Sequence, residues 1–180
     1  LAVQLSGSLF ADFIALSLGE RCDHRSIRYL IRVKTGQSRP PFQENISFSK
    51  KGVIRGLHFQ RAPYEQAKLA AVISGSVLDV VVDIRAGSPT FGRWVGEVLS
   101  GDNARQLYVP PGFAHGFCVL SDTAHVQYKC TDVYRPGDEI GVVWNDPEIG
   151  INWPVADPVL NEKDRRAPRL AEIVQRLRSV

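Results

Sequence analysis

The chain has 180 residues, of which 44% are hydrophobic and 23% are charged, and its formal net charge is +3. This length is enough for one sizeable hydrophobic core and short for two, so the sequence predicts a single globular domain over residues 1–180. The basic residues are scattered rather than gathered into a run interleaved with aromatic residues, which argues against a nucleic-acid partner.

The three cysteines, Cys22, Cys118 and Cys130, form no CxxC pair and are odd in number. They predict neither a disulfide framework nor a thiolate zinc site, and a reducing cytoplasm is the expected location. The most apolar early stretch, residues 5–19, has no basic leader and is interrupted by Asp12 before it reaches membrane-spanning length. We therefore expect no targeting segment, no transmembrane segment and no membrane partner.

From position 68 onward, short apolar runs alternate with segments rich in Gly, Pro, Asn and Asp. This pattern is typical of strands joined by turns, and no helical pattern intervenes to suggest a parallel sheet. The sequence therefore predicts a mainly β fold, an antiparallel sandwich or barrel. The predicted strands are "LAAVIS", "VLDVVVDI", "WVGEVLS", "QLYV", "HGFCVL" and "HVQYKC".

The end of the chain shows a different periodicity. Leu170, Ile173, Val174 and Leu177 recur at helical spacing within "RLAEIVQRLRSV". This spacing predicts one amphipathic helix packed on the outside of the β structure.

Alternation along a strand separates side chains into two faces. In residues 124–130, Tyr128 lies on the apolar face, where it is either a core tyrosine bonded to the backbone or a functional hydroxyl. His125 lies on the polar face and is expected to be solvated. His115 shares a face with Phe117, so its imidazole is either a satisfied core group or part of a pocket.

His58, in the stretch "RGLHFQ", fits three roles: a catalytic base, a metal ligand or a core histidine. A metal site needs three or four converging ligands, often two on alternate residues of one strand, and no H-x-H pattern occurs. No serine lies in a G-x-S-x-G elbow, and no phosphate-binding glycine loop is present. Acid and base chemistry is therefore the remaining interpretation.

Several segments between about Phe42 and Asp164 carry a resemblance to a known family. They are "SKKGVIRGLHFQ", "KLAAVISGSVLDVVVDIRAGSPTFGRWVGEVLS", "RQLYVPPGFAHGFCVLSD", "YKCTDVY", "WNDPEIGINWP" and "LNEKD". In order and spacing they resemble the dTDP-4-dehydrorhamnose 3,5-epimerases. The resemblance implies a cupin-type jelly-roll (double-stranded β-helix) barrel with a few peripheral helices, a homodimer, and no metal or redox cofactor. It divides the chain into an atypical segment 1–41, a barrel core 42–154, and a C-terminal turn and helix 155–180.

The resemblance also implies a reaction, the epimerisation of carbons 3 and 5 of dTDP-4-dehydro-6-deoxy-D-glucose to dTDP-4-dehydro-L-rhamnose. The carbonyl at carbon 4 makes the neighbouring C–H protons removable, because the resulting carbanion is delocalised as an enolate. The enzyme must supply a base, a charge for the oxyanion and an acid on the opposite face. Three alternatives stay open: a single-carbon epimerase, a metal-dependent cupin, and a barrel that binds a nucleotide sugar without catalysis.

By resemblance, four residues are catalytic. His58 is the base, a role that suits an imidazole with an ordinary pKa of roughly 6.5. Asp164 is the carboxylate that orients it, Lys68 is the cation near the 4-keto oxygen, and Tyr128 is the acid. Without the resemblance, Asp164 would be read as an exposed charge in a polar turn and Lys68 as a solvated lysine.

The resemblance points to a second group of residues that bind the substrate. They are Arg55, His115, Gln43, Asn45, Tyr134, Lys163 and Arg21. Arg55 suits the diphosphate because its planar guanidinium can donate two parallel hydrogen bonds. Strict alternation would place Arg55 and His58 on opposite faces, so the sequence predicts a bend or bulge at Gly56.

The first 41 residues depart from the family pattern. Family members carry an F-x-D-x-R-G-x-F segment whose arginine contributes to ligand contacts, often across the dimer interface. The nearest counterpart here is "LGERCD", with Arg21 at a similar distance before "RGLH" and Cys22 where glycine is expected.

Overall fold

The computed structural model describes residues 2–4, 14–17 and 43–178. Within these ranges the fold is mainly β, with two short helices near the end of the chain. The strands are β1 (Ala2–Gln4), β2 (Ile14–Ser17), β3 (Gln43–Lys50), β4 (Ile54–Gln60), β5 (Lys68–Ser74), β6 (Ser76–Asp83), β7 (Trp94–Ser100), β8 (Arg105–Val109), β9 (Phe113–Val119), β10 (Thr123–Cys130) and β11 (Glu139–Gly141). The helices are α1 (Glu162–Arg165) and α2 (Leu170–Arg178).

The strands form two antiparallel sheets. One sheet has the order β1-β2-β8-β5-β10-β3, and the other has the order β11-β4-β9-β6-β7. Strands that are distant in sequence become neighbours, since β10 pairs with both β3 and β5. The predicted antiparallel barrel is confirmed, and each predicted strand agrees with an observed one to within about two residues at either end.

The main hydrophobic core lies between the two sheets. Val72 and Leu107 contribute to it from the six-stranded sheet, and Val81 and Phe117 contribute from the five-stranded sheet. These side chains are buried because alternate residues of each strand point to the inner face. The polar residues described below therefore interrupt an otherwise apolar interior.

A second apolar cluster covers the outer face of the five-stranded sheet. Leu57 and Val82 of this sheet pack with Leu170 and Ile173 of α2, and Leu177 packs against the same cluster. Leu170 and Ile173 are almost completely buried. The predicted amphipathic helix is thus confirmed, and its apolar stripe closes this side of the barrel.

The middle of β4 departs from regular strand geometry. Its pairing with β9 shifts register between Arg55 and His58. Gly56 has a φ of +119°, and a Cβ added there would lie 2.6 Å from the Gly116 Cα and 2.7 Å from the His115 carbonyl oxygen. Only glycine fits such a conformation and such a close approach. The predicted irregularity at Gly56 is confirmed.

The terminal segments also contribute to the barrel. β2 pairs with β8, so the N-terminal segment 1–41 supplies two strands of the six-stranded sheet. At the other end, an isolated parallel bridge joins Val53 to Val159. No helix in the described ranges is long and apolar enough to cross a membrane.

Candidate active site

A cavity of about 340 Å³ receives side chains from both sheets. His58 and His115 reach it from the five-stranded sheet, and Lys68 and Tyr128 reach it from the six-stranded sheet. The other predicted site residues along its wall are Gln43, Asn45, Arg55, Tyr134 and Lys163. The structure therefore brings the predicted residues of the described ranges together, with Asp164 directly behind His58. Arg21 lies outside the described residues.

His58 and Asp164 form a hydrogen-bonded pair. The His58 Nε2 atom lies 2.5 Å from the Asp164 Oδ1 atom. Oδ2 of Asp164 accepts the Gly56 backbone N–H at 3.2 Å and the Asn161 side-chain N–H at 3.0 Å. Asp164 is completely buried, so it is not the exposed charge that its polar surroundings in the sequence would indicate.

Helix α1 fixes the position of this carboxylate. Asn161 is the N-cap of α1, and its side-chain oxygen accepts the Asp164 backbone N–H at 2.7 Å. An N-cap asparagine satisfies a backbone donor of the first turn and defines where the helix begins. The segment "NEKD" thus holds Asp164 beneath β4, although it is far from His58 in sequence.

Lys68 supplies a positive charge to the same cavity. Its Nζ atom lies 3.4 Å from the His58 carbonyl oxygen and donates a hydrogen bond to it. Burial lowers the pKa of Lys68, while Cys130 and Asp79 favour its charged form and Lys163 opposes it. A partly dehydrated ammonium stabilises a developing oxyanion more strongly than water does.

Tyr128 brings a phenol to the cavity from β10. Burial raises the pKa of Tyr128, Cys130 raises it further, and Arg55 acts in the opposite direction. The hydroxyl therefore keeps its proton at neutral pH and can act as an acid. His125, on the other face of β10, is exposed as predicted, with its Nδ1 atom 3.0 Å from the Ser74 hydroxyl.

His115 has a carboxylate partner that the sequence analysis missed. Its Nε2 atom lies 2.7 Å from the Asp79 Oδ1 atom, and Asp79 is completely buried. Oδ2 of Asp79 has no hydrogen-bond partner among the described residues. One signal was available, since a carboxylate inside the apolar run "VLDVVVDI" is rarely buried without a partner.

Glu139 is the second site residue that the sequence analysis missed. Its Oε1 atom lies 3.8 Å from the His58 Nδ1 atom. Its Oε2 atom accepts a hydrogen bond from the Tyr134 hydroxyl at 2.8 Å and forms an ion pair with Lys163. No local sequence pattern distinguishes Glu139 from an exposed acid of a turn.

A chain of polar contacts connects the binding residues at the rim. Gln43 accepts the Tyr134 backbone N–H at 2.6 Å and donates to the Asn45 side chain at 2.9 Å. Arg55 donates to the Ser49 hydroxyl at 3.0 Å. These contacts preorganise amide and guanidinium groups that suit a polar, anionic ligand.

The described residues do not form a recognisable metal centre. No group of three or more His, Cys, Asp or Glu side chains within these ranges is arranged to hold a metal ion. His58 and His115 each use one ring nitrogen on a carboxylate. The cavity thus brings together an imidazole, a phenol and a lysine amine from His58, Tyr128 and Lys68.

The sequence model of the family described as dTDP-4-dehydrorhamnose 3,5-epimerase matches residues 29–172. The chain belongs to this family. A dTDP-4-dehydrorhamnose 3,5-epimerase from Shigella flexneri is 56% identical over 122 residues, which cover 68% of this chain and 67% of that protein. Family, isomerase class and cupin-type fold are as predicted from the sequence.

Solved structures show the same likeness. A dTDP-6-deoxy-D-glucose-3,5-epimerase from Legionella pneumophila, in complex with dTDP-4-keto-L-rhamnose, is 40% identical with a TM-score of 0.87 and covers 98% of this chain and 97% of that one. A 3'-monoepimerase from Streptomyces bikiniensis, in complex with dTDP-quinovose, is 33% identical with a TM-score of 0.85 and covers 96% of this chain and 90% of that one. Double and single epimerases therefore share this fold.

Proposed function

We propose that this chain epimerises carbons 3 and 5 of dTDP-4-dehydro-6-deoxy-D-glucose and releases dTDP-4-dehydro-L-rhamnose for dTDP-rhamnose or related deoxysugar biosynthesis. The observation that carries this proposal is the convergence of complementary groups from two sheets. His58 belongs to the five-stranded sheet, whereas Lys68 and Tyr128 belong to the six-stranded sheet. A base and an acid that approach from different sheets suit removal of a proton from one face and delivery to the other.

Each inversion takes two proton transfers. Asp164 is a carboxylate that accepts the Nε2 proton of His58, so Nδ1 is the free base. Nδ1 takes the carbon-bound proton, and the C–H electron pair is delocalised onto the 4-keto oxygen as an enolate. The Lys68 ammonium stabilises this oxyanion. Tyr128 then donates its phenolic proton to the carbon, and the enolate returns to the ketone. The Tyr128 phenolate regains a proton from water and the His58 imidazolium gives one up, which restores both groups for the next inversion.

Substrate binding uses the polar groups of the rim. In this proposal Arg55 binds the diphosphate, with Lys163 nearby as a second cation. Gln43, Asn45 and Tyr134 bind the nucleoside. His115, held by Asp79, binds and polarises the sugar, and Arg21 contributes a further ligand contact.

A homodimer and a cytoplasmic location complete the proposal. The outer face of the six-stranded sheet exposes Ile46, Phe48 and Ile73, with relative exposures of 62%, 52% and 53%. An apolar group of this kind on the two strands that flank β10 supports association with a second copy. Cys118 and Cys130 are buried free thiols, which supports a reducing compartment.

Proton exchange with heavy water tests the reaction. The protein is incubated with dTDP-4-dehydro-6-deoxy-D-glucose in D₂O, and the sugar protons are followed by NMR. We expect deuterium at carbons 3 and 5 together with the L-rhamno product. Deuterium at one carbon alone would identify a single-carbon epimerase, and its absence from both would overturn the proposal.

The base has its own test. His58→Asn should abolish exchange while dTDP still binds, because the amide cannot take a proton from carbon. Exchange at the parental rate would remove His58 as the base. If the parental protein bound dTDP and exchanged nothing, it would be a binding barrel, and chelator-sensitive activity with stoichiometric metal would indicate a metal-dependent cupin.

A further inference from the structure

His58 faces two carboxylates, and the proposed reaction has used only one of them. We propose that Glu139 is a positioning residue of the base, which accepts the abstracted proton from His58 and passes it to solvent. One histidine can then serve carbon 3 and carbon 5 in turn. This inference rests on the proposed function, because only a double epimerisation requires the same base to be cleared within one turnover.

The proton cannot leave through Asp164. That carboxylate is completely buried, and its Oδ2 atom already accepts hydrogen bonds from Gly56 and Asn161. Asp164 therefore gives the proton no route to water, and the exposed 20% of the His58 side chain faces the cavity that the substrate would occupy. If the proton stays on Nδ1, it returns to the carbon from which it came or blocks the next abstraction.

Glu139 offers an acceptor for this proton while the substrate covers His58. Its Oε1 atom lies 3.8 Å from Nδ1 of His58, and its side chain is 11% exposed. At this distance Nδ1 and Oε1 form no hydrogen bond, as expected while Nδ1 carries no proton. We expect the two atoms to approach each other when Nδ1 gains a proton and a positive charge. The N–H bond of the imidazolium breaks, an O–H bond forms on Glu139, and water then removes that proton.

The surroundings of Glu139 hold it in this orientation. Tyr134 and Lys163 both contact Oε2, which leaves Oε1 turned towards His58. Glu139 is the one carboxylate along the described cavity wall. A fixed negative charge opposes the binding of an anionic nucleotide sugar, and a role in proton transfer accounts for its presence.

The test separates turnover from the first proton abstraction. Glu139→Gln keeps the size of the side chain and an acceptor oxygen for Tyr134, but it cannot carry a proton at neutral pH. We expect single-turnover deuterium exchange at the first carbon to stay within about threefold of the parental rate, while steady-state kcat falls at least about tenfold. Added imidazole, a diffusible proton acceptor, should restore kcat in a concentration-dependent way at constant ionic strength.

Four further variants distinguish this role from a structural one. Tyr134→Phe and Lys163→Met remove the partners of Oε2 and should raise KM, and any loss of kcat that follows from a misplaced Glu139 should also respond to imidazole. Glu148→Gln, at an exposed position, should leave kcat unchanged. Glu139→Asp keeps a carboxylate and should lose less turnover than Glu139→Gln.

Several outcomes would overturn the inference. They are parental kcat in Glu139→Gln, a loss of kcat that imidazole does not restore, or equal losses in Glu139→Gln and Glu139→Asp. Failure of the parental protein to exchange either proton would instead overturn the proposed function, so the two failures are distinguishable.

Discussion

Arg55 and His58 face the same cavity, although they are three positions apart along β4. In a regular strand they would point to opposite faces. The register shift between them and the positive φ of Gly56 remove this conflict. One strand therefore presents both a cation for the diphosphate and the base for the sugar.

Replacement of Gly56 should damage both the fold and the site. In Gly56→Ala, the new Cβ meets backbone atoms of β9 at 2.6 and 2.7 Å, and those atoms cannot move without breaking the sheet. We expect a loss of at least about 2 kcal/mol in the free energy of unfolding, together with loss of proton exchange. Gly52→Ala is the matched control, because Gly52 also has a positive φ of 76° but nothing within 4 Å. Equal losses in the two variants would contradict the steric argument.

Removal of the Asp164 charge should disable the base. Asp164→Asn keeps the shape of the side chain but no longer stabilises the imidazolium or fixes the tautomer of His58, so kcat should fall roughly 10³-fold. Binding of dTDP, measured by calorimetry, should change little. Asp157→Asn, at an exposed position, serves as control. A loss of less than about tenfold in kcat would show that the pairing with His58 is dispensable.

Tyr128→Phe should separate proton removal from inversion. The base can still form the enolate, and the proton can return from the same face. Deuterium exchange into the substrate should therefore continue, whereas formation of the inverted product falls by about 10²-fold or more. Tyr108→Phe removes another buried hydroxyl, one without a partner among the described residues, and should leave activity intact. Equal loss of exchange and inversion in Tyr128→Phe would contradict its assignment as the acid.

The pH dependence of turnover should report Lys68. Burial lowers the pKa of the Lys68 ammonium below the ordinary lysine value of 10.5. As the pH rises, the charge that stabilises the enolate is therefore lost earlier than it would be for an exposed lysine. The raised pKa of Tyr128 keeps that phenol protonated over the same range. In the parental enzyme we expect kcat/KM to decrease with rising pH before pH 10.5 is reached. In Lys68→Arg the remaining activity should persist to higher pH, and an unchanged alkaline limb would exclude Lys68 as its source.

Stability at acidic pH should depend on Asp83. Burial alone would raise the pKa of Asp83, but hydrogen bonds from Arg85, Ser88 and Thr90 lower it from 3.8 to about 2. Because the folded pKa lies below the unfolded one, this contribution is present above about pH 4 and is lost as the pH falls towards 2. It amounts to about 2 kcal/mol. Urea titrations between pH 2 and 6 should lack this component in Asp83→Asn and retain it in Asp122→Asn, whose side chain is 99% exposed.

Much of the barrel could be predicted because its signals are local. Apolar runs separated by Gly, Pro and Asp identify strands, and the conflict between Arg55 and His58 under strict alternation predicts the irregularity at Gly56. The helical spacing of Leu170 and Ile173 likewise predicts the helix that carries them. These elements are short, and each is bounded by its own turn residues.

The site was harder to predict because its partners are distant in sequence. Asp79 meets His115 across 36 positions, and Glu139 meets Lys163 across 24. No periodicity within one strand encodes such pairs, since they depend on which strands become neighbours. Asp164 could be assigned only by family resemblance, because its burial is created by docking of α1 against β4.

The bond between His58 and Asp164 joins positions that are 106 residues apart. During synthesis, every strand of the sheet that carries His58 emerges from the ribosome before Asp164 does. Until the C-terminal segment is present, the sheet lacks the carboxylate that orients the imidazole. The orientation of the base thus depends on a segment synthesised after the barrel strands, and the Val53–Val159 bridge joins that segment to the chain just before β4.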